Sequence, residues 1–223
     1  MFDRVLYKKT ARQQLKGRWG FPVLLGIVTG ILAALVGGGS QTADSSLSLL
    51  FLLIELGVTG ALLIATCYVY LHMAQTTRKA DFSLFFAGLE GWLQGALGMM
   101  WYWLWVFLWS LLFVIPGIIK ALSYSQMFYI LAENPAVGVR KAMRMSKVIT
   151  QGYKGDLFVM GLSFFGWGFL CVLSCGIGFL WLFPYINMSA ANTYAALKNM
   201  AIMTNKITPA DFAPAEDTQG DVQ

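Results

Sequence analysis

Few residues in this chain of 223 have the type and spacing to do chemistry. It has one histidine, His72, and three cysteines, Cys67, Cys171 and Cys175. A structural zinc takes four Cys or His ligands, and a nucleophilic site needs a base beside its nucleophile. Neither can be assembled from this set. Cys171 and Cys175 stand one helical turn apart, a separation that disfavours a disulfide, so all three cysteines are expected as packing thiols. Phosphate-cradling glycine loops, HExxH and the nucleophile elbow are missing from the sequence. The expectation is a protein without metal, cofactor or enzymatic activity.

Two ionisable residues stand out because they interrupt apolar runs. Glu55 lies eight residues into one such run, about 12 Å below its end at 1.5 Å per residue, and Lys120 lies in another. Charges inside a membrane are costly and face a bundle interior or a cavity. The pair therefore reads either as a site for an ion or polar solute, or as a structural pair fixing helix register. A second group, Asn187 and Asn192 with Ser189 and Thr193, follows Pro184. Proline frees a carbonyl one turn back and kinks a helix, so these polar groups are candidates to line a cavity or to bond neighbouring helices.

The elements that must position these residues follow from composition. Hydrophobic residues make up 57% of the chain and charged residues only 12%, with a mean hydropathy of +0.62. Soluble domains carry about 25% charged residues, so a soluble enzyme is excluded. A helix needs about 20 apolar residues to cross the bilayer. Candidate spans are 21–38, 47–72, 96–115, 117–133, 157–173 and 177–197. Backbone groups in lipid must bond internally, which makes these segments helices. The fold class expected is an all-α membrane protein of about six transmembrane helices in three hairpins. Four spans plus a re-entrant hairpin is the alternative, because the fourth span is interrupted by Lys120, Ser123, Ser125 and Gln126.

Basic residues test the threading. With the N-terminus inside and six alternating spans, all 16 lysines and arginines except Lys120 fall on the cytoplasmic side. This satisfies the positive-inside rule and puts both termini in the cytoplasm. Residues 1–20 read as an amphipathic inner-face helix rather than a cleavable signal. Its cations Lys8, Lys9, Arg12, Lys16 and Arg18 are expected to meet anionic lipid. A second basic stretch opens at Asn134-Pro135, an N-cap with proline in the first turn. It gathers Arg140, Lys141, Arg144 and Lys147 along one side. These patches are explained by the inner leaflet, so no nucleic-acid partner is expected. Residues 1–206 form the membrane domain, and residues 207–223 read as an acidic, disordered cytoplasmic tail.

Before each odd-numbered span stands a GxxG element with an aromatic in or beside it: Gly17 to Gly20, Gly88 to Gly91, and Gly152 to Gly155. Each follows an amphipathic stretch, so the repeating unit is an interfacial helix, a glycine hinge and a membrane hairpin. Pro116-Gly117 is expected to break the third span from the fourth in the same way that proline and glycine mark tight turns.

Several segments together resemble a family. They are Ala11 to Gly20, the central Ile115-Pro116-Gly117-Ile118-Ile119-Lys120-Ala121-Leu122-Ser123-Tyr124-Ser125, Leu131 to Pro135, Gly152-Tyr153-Lys154, Leu162 to Trp167 and Gly176 to Tyr185. The chain is similar over residues 1–200 to the bacterial DUF975 integral membrane proteins. The resemblance implies a multi-pass bacterial plasma-membrane protein and brings no catalytic residues. The function expected is a scaffold or accessory component that binds membrane lipid, another membrane protein or a second copy of itself. A small-solute or ion transporter component, with Glu55 and Lys120 near its pathway, is the alternative.

Overall fold

A computed structural model describes residues 2–42, 47–76, 80–112 and 114–212. Arg78, Lys79, part of the first connection (43–46) and the tail from 213 lie outside the described residues. Every regular element among the described residues is helical. In chain order these are α1 (Arg4–Leu15), α2 (Gly20–Thr42), α3 (Ser48–Gln75), α4 (Phe82–Gly88), α5 (Trp92–Leu112), α6 (Val114–Tyr124), α7 (Met127–Glu133), α8 (Val139–Ile149), α9 (Lys154–Leu173) and α10 (Phe179–Met203).

Three of them, over 20–38, 49–75 and 154–173, are long and apolar enough to cross a membrane. They fall on three of the six expected spans. The fourth span differs. In place of one helix over 117–133 the chain forms α6 and α7, divided at Ser125-Gln126. The reason lies in the polar groups that made this segment weak: Ser123 and Ser125 turn their hydroxyls back on the carbonyls of Ile119 and Leu122, at 2.7 and 2.8 Å. Such bonds compete with the helix ladder. The hydroxyl of Ser146 on α8 then bonds the freed carbonyl of Ser123 at 2.8 Å, and Thr150 reaches the same oxygen at 3.4 Å.

The core sits at one end of the helices. It is built from Ile64, Val69 and Met73 of α3, Met127, Ile130 and Leu131 of α7, Ile149 of α8, and Met188, Tyr194 and Leu197 of α10, all almost fully buried. The other halves of α2, α3, α5 and α9 expose large apolar side chains, including Leu35, Leu49, Phe107, Leu111 and Phe165. Exposed apolar surface on this scale calls for a nonaqueous neighbour. Helix α3 is thus an exposed apolar rod in one half and a core element in the other.

The glycines explain how α5 reaches α3. A Cβ on Gly60 would stand 2.7 Å from the Gly95 carbonyl carbon and 2.8 Å from Met99 Cβ. A Cβ on Gly88 would stand 2.8 Å from the Ala65 Cα. Small residues let membrane helices approach backbone to backbone. The three GxxG elements consequently do different work. Gly17 and Gly152 hold φ of +77° and +94°, the left-handed turn that favours glycine. Gly88 is right-handed (φ −64°), and Gly91 packs against Pro135 and Ile64. The second element is a packing device rather than a hinge. Gly20 and Gly155 lie in the first turns of α2 and α9, with open space where a Cβ would be.

Candidate functional site

Helix α8 is held by its apolar side. Ala142, Met143, Met145, Ser146 and Ile149 are buried, while Arg140, Arg144 and Lys147 are exposed. Lys141 is half-buried on the flank. The sequence expected one helix from Asn134. The cap is real, since Asn134 accepts from the Ala136 N–H at 3.1 Å, but it closes a 3-10 turn over Pro135–Val137. Gly138, with φ of 74°, then starts α8 afresh.

Two of the cations meet tryptophans of α5. The Arg140 guanidinium lies 5.6 Å from the Trp101 ring, and the Lys120 ammonium lies 4.4 Å from the Trp109 ring. These are cation–π distances. The two tryptophans are eight residues apart on one face, so the stripe forms a platform for charges from α8 and α6. Lys120 also lies within electrostatic range of Lys147 and Lys154. It therefore belongs with the basic group instead of standing apart near the opposite end of its helix. Pro116 and Gly117 fall inside the first turns of α6, where proline needs no helical partner for its missing N–H. A Cβ on Gly117 would meet Ser110 Cα at 3.1 Å, so this glycine brings α6 against α5.

Glu55 is placed elsewhere. Its Oε1 would stand 3.1 Å from a Cβ on Gly37, which puts the carboxyl over a glycine of α2. The one ion pair among the described residues joins Lys198 to Glu133 at 2.5 Å. Glu55 and Lys120 are not brought together.

The polar residues of α10 serve helix packing. Asn187 donates to the Phe183 carbonyl at 2.9 Å within its own helix, which runs through Pro184 without interruption. Asn192 donates to Gln14 Oε1 at 2.7 Å, and Gln14 Nε2 donates to the Ala74 carbonyl at 2.9 Å. Gln14 thus ties α1 to both α10 and α3. Arg18 donates to the carbonyls of Gln14 (2.9 Å) and Thr76 (3.0 Å). It caps the end of α3 as well as carrying charge.

Helix α1 starts at Asp3, whose carboxylate accepts from the N–H groups of Val5 and Leu6, both at 3.0 Å. Ala11 and Leu15 are fully buried, whereas Lys9, Arg12 and Lys16 are exposed. Lys8 lies over the Phe164 ring at 4.0 Å and donates to the Ser163 hydroxyl of α9. Burial, and then the positive charge of Arg4, hold the Lys8 ammonium below the usual lysine range. Helix α1 is therefore packed along the α9–α10 hairpin. Beside it opens a cleft of about 480 Å³, lined by Arg12, Trp19, Trp167, Trp181, Leu182 and Tyr185 among others.

Two features escaped the sequence reading. Tyr194 donates to Glu133 Oε2 at 2.6 Å, completing a group with Lys198. Residues 207–212, expected as disordered tail, are docked: Ile207 is buried, Lys198 lies over the Phe212 ring at 4.2 Å, and Asn134 donates to the Phe212 carbonyl. An aromatic among acidic residues was the available signal. Among the described residues no cluster of His, Cys, Asp or Glu forms a metal site.

Apolar helices with bare outer halves, joined at a common core and edged with cations, define a helical membrane protein. Residues 93–201 match the model of a family described as a protein of unknown function, DUF975, the family that the sequence resembles. The match runs from the start of α5 into α10 and leaves α1 to α4 outside it. No curated protein and no solved structure matches the chain.

Proposed function

We propose that the chain is a non-enzymatic multi-pass protein that holds anionic lipid, or a membrane partner, against a basic face. The plasma membrane of a bacterium is the setting the resemblance implies. The observation that carries this reading is α8: its apolar side is spent on the core, and Arg140, Arg144 and Lys147 point away from it with no carboxylate within ion-pair distance among the described residues. Cations held in this way are available to an anionic surface, where each contributes about 1 kcal/mol of attraction. Transport through Glu55 and Lys120 draws less support, since the first rests on α2 and the second on the tryptophans of α5.

The threading proposed is four crossing helices, α2, α3, α9 and α10, with α5–α6 as a hairpin that enters from the basic side and returns. Helix α6 has 11 residues, about 16 Å at 1.5 Å each, against a hydrocarbon core of about 30 Å. This arrangement keeps both termini and α8 on the cytoplasmic side.

The test is lipid composition around the purified protein. Nanodiscs or native membrane particles carrying the full chain are expected to retain anionic lipid above its bulk fraction, and the triple variant Arg140→Gln, Arg144→Gln, Lys147→Gln to lose that excess. An unchanged lipid profile in the triple variant would end the proposal. Loss of function in Glu55→Gln and Lys120→Met, with the triple variant active, would favour transport instead.

A further inference from the structure

The cleft beside α1 is a different place from the α8 face, and its chemistry is more specific. Arg12 is exposed on α1 and has no carboxylate partner among the described residues. Its guanidinium lies within electrostatic range of the Tyr185 hydroxyl. Among the described residues no carboxylate lines the cleft. Trp19, Trp167 and Trp181 line the cleft with Arg12, and their indole N–H groups have no acceptor among the described residues. Trp167 and Trp181 are more than half exposed, so one flank of the cleft is open to whatever surrounds α9. The walls are otherwise apolar, with Leu170, Cys171 and Leu182.

This combination selects its occupant. A guanidinium pairs with phosphate through parallel N–H bonds. Tryptophans place their N–H at a membrane interface with their rings in the apolar zone. A volume of about 480 Å³ lies within the range of small-ligand pockets, and the open flank continues into the bare apolar surface of α9. We propose that the cleft binds one anionic phospholipid, its phosphate at Arg12 among the tryptophans and its acyl chains along the exposed apolar surface of α9. The inference rests on the reading of this chain as a lipid-holding membrane protein and adds a discrete site to it. Helix α1 is then a wall of that site.

Native mass spectrometry of the full-length protein, delipidated in mild detergent and titrated with phosphatidylglycerol or phosphatidylcholine of matched chains, tests it. One phosphatidylglycerol adduct is expected at a concentration about tenfold below that giving the first phosphatidylcholine adduct. Arg12→Gln is expected to remove that preference and Arg12→Lys to keep part of it. Leu170→Trp, which crowds the cleft and leaves Arg12 in place, is expected to remove the adduct. Both altered positions are exposed, and thermal melting verifies folding; should Arg12→Gln fail to fold, Leu170→Trp decides. Equal binding of the two lipids, or an adduct unchanged in Arg12→Gln or Leu170→Trp, overturns the proposal. So does displacement of the adduct by inorganic phosphate, or a dimer that takes up no lipid. The α8 triple variant separates the two readings. It is expected to keep the single adduct, and a triple variant with normal lipid enrichment beside loss of the adduct in Arg12→Gln would sink the α8 proposal alone.

Discussion

Replacing Gly60 by alanine adds one methyl group where α3 and α5 have no room for it. The new Cβ would lie 2.7 Å from the Gly95 carbonyl carbon and 2.8 Å from Met99 Cβ. Carbon atoms settle about 3.5–4.0 Å apart, so the helices must separate by roughly 1 Å. The obstructing carbon belongs to the backbone and cannot swing aside as a side chain would. A gap of 0.5–1 Å already forfeits about a quarter to a half of each contact's attraction, and overpacking of this kind costs about 1–3 kcal/mol. Against that stands alanine's better helix propensity, about 1 kcal/mol. The net expectation for Gly60→Ala is a loss of about 0–2 kcal/mol. Gly30 of α2 is the internal control, because nothing lies within 4 Å of its would-be Cβ. There the propensity term acts alone, and Gly30→Ala should gain about 0.5–1 kcal/mol. Thermal unfolding in one detergent reads both. At about 2–4 °C per kcal/mol for a chain of this size, Gly60→Ala should melt up to roughly 8 °C lower than the wild type. If Gly60→Ala melted at or above Gly30→Ala, the close approach of α3 and α5 would be wrong.

Three further outcomes are expected. Gln14→Leu strands the amide of Asn192 and the carbonyl of Ala74. It should cost about 1–3 kcal/mol and make α1 the first site cut in limited proteolysis, whereas Lys16→Ala should leave that site protected. Asp211 is held below the usual carboxylate value first by the backbone N–H of Thr208 and then by its hydroxyl. A depressed carboxylate contributes stability above its unfolded pKa, and that contribution is lost as pH falls through the folded value. The Thr208 amide should therefore lose its downfield NMR shift only below the ordinary aspartate range, and an earlier loss would contradict the bond. A cysteine at Arg144, in a background lacking Cys175, should be labelled by membrane-impermeant maleimide only after cells are opened. Labelling of intact cells would reverse the threading.

The elements most legible in the sequence were those governed by one-dimensional pattern. The apolar runs that became α2, α3 and α9 needed only length and hydropathy. The cation spacing at Arg140, Arg144 and Lys147 announced the one-sidedness of α8. Gln14 was invisible because a glutamine among lysines and arginines looks like solvated surface, and its partners are 60 and 178 residues away. The division of the fourth span at Ser125-Gln126 was hinted at by its hydroxyls, but only α8, offering Ser146 to the freed carbonyl, makes it stable. Gly88 and Gly91 carried the same motif as Gly17 and Gly152. Motif spacing reports that a side chain is missing, not whether a turn or a neighbouring backbone requires it. The Arg12 cleft depends on three helices meeting, and no local pattern encodes that.

The clasp made by Gln14 sets an order of events during synthesis. Its partner Asn192 follows it by 178 residues, and at about 5–20 residues per second the ribosome takes roughly 9–36 seconds to supply it. Throughout that interval the first helix can settle against α3 alone, with half of its amide bonds unmade. Translation arrested before the final hairpin should leave the N-terminal segment open to protease, and release of the finished polypeptide should close it.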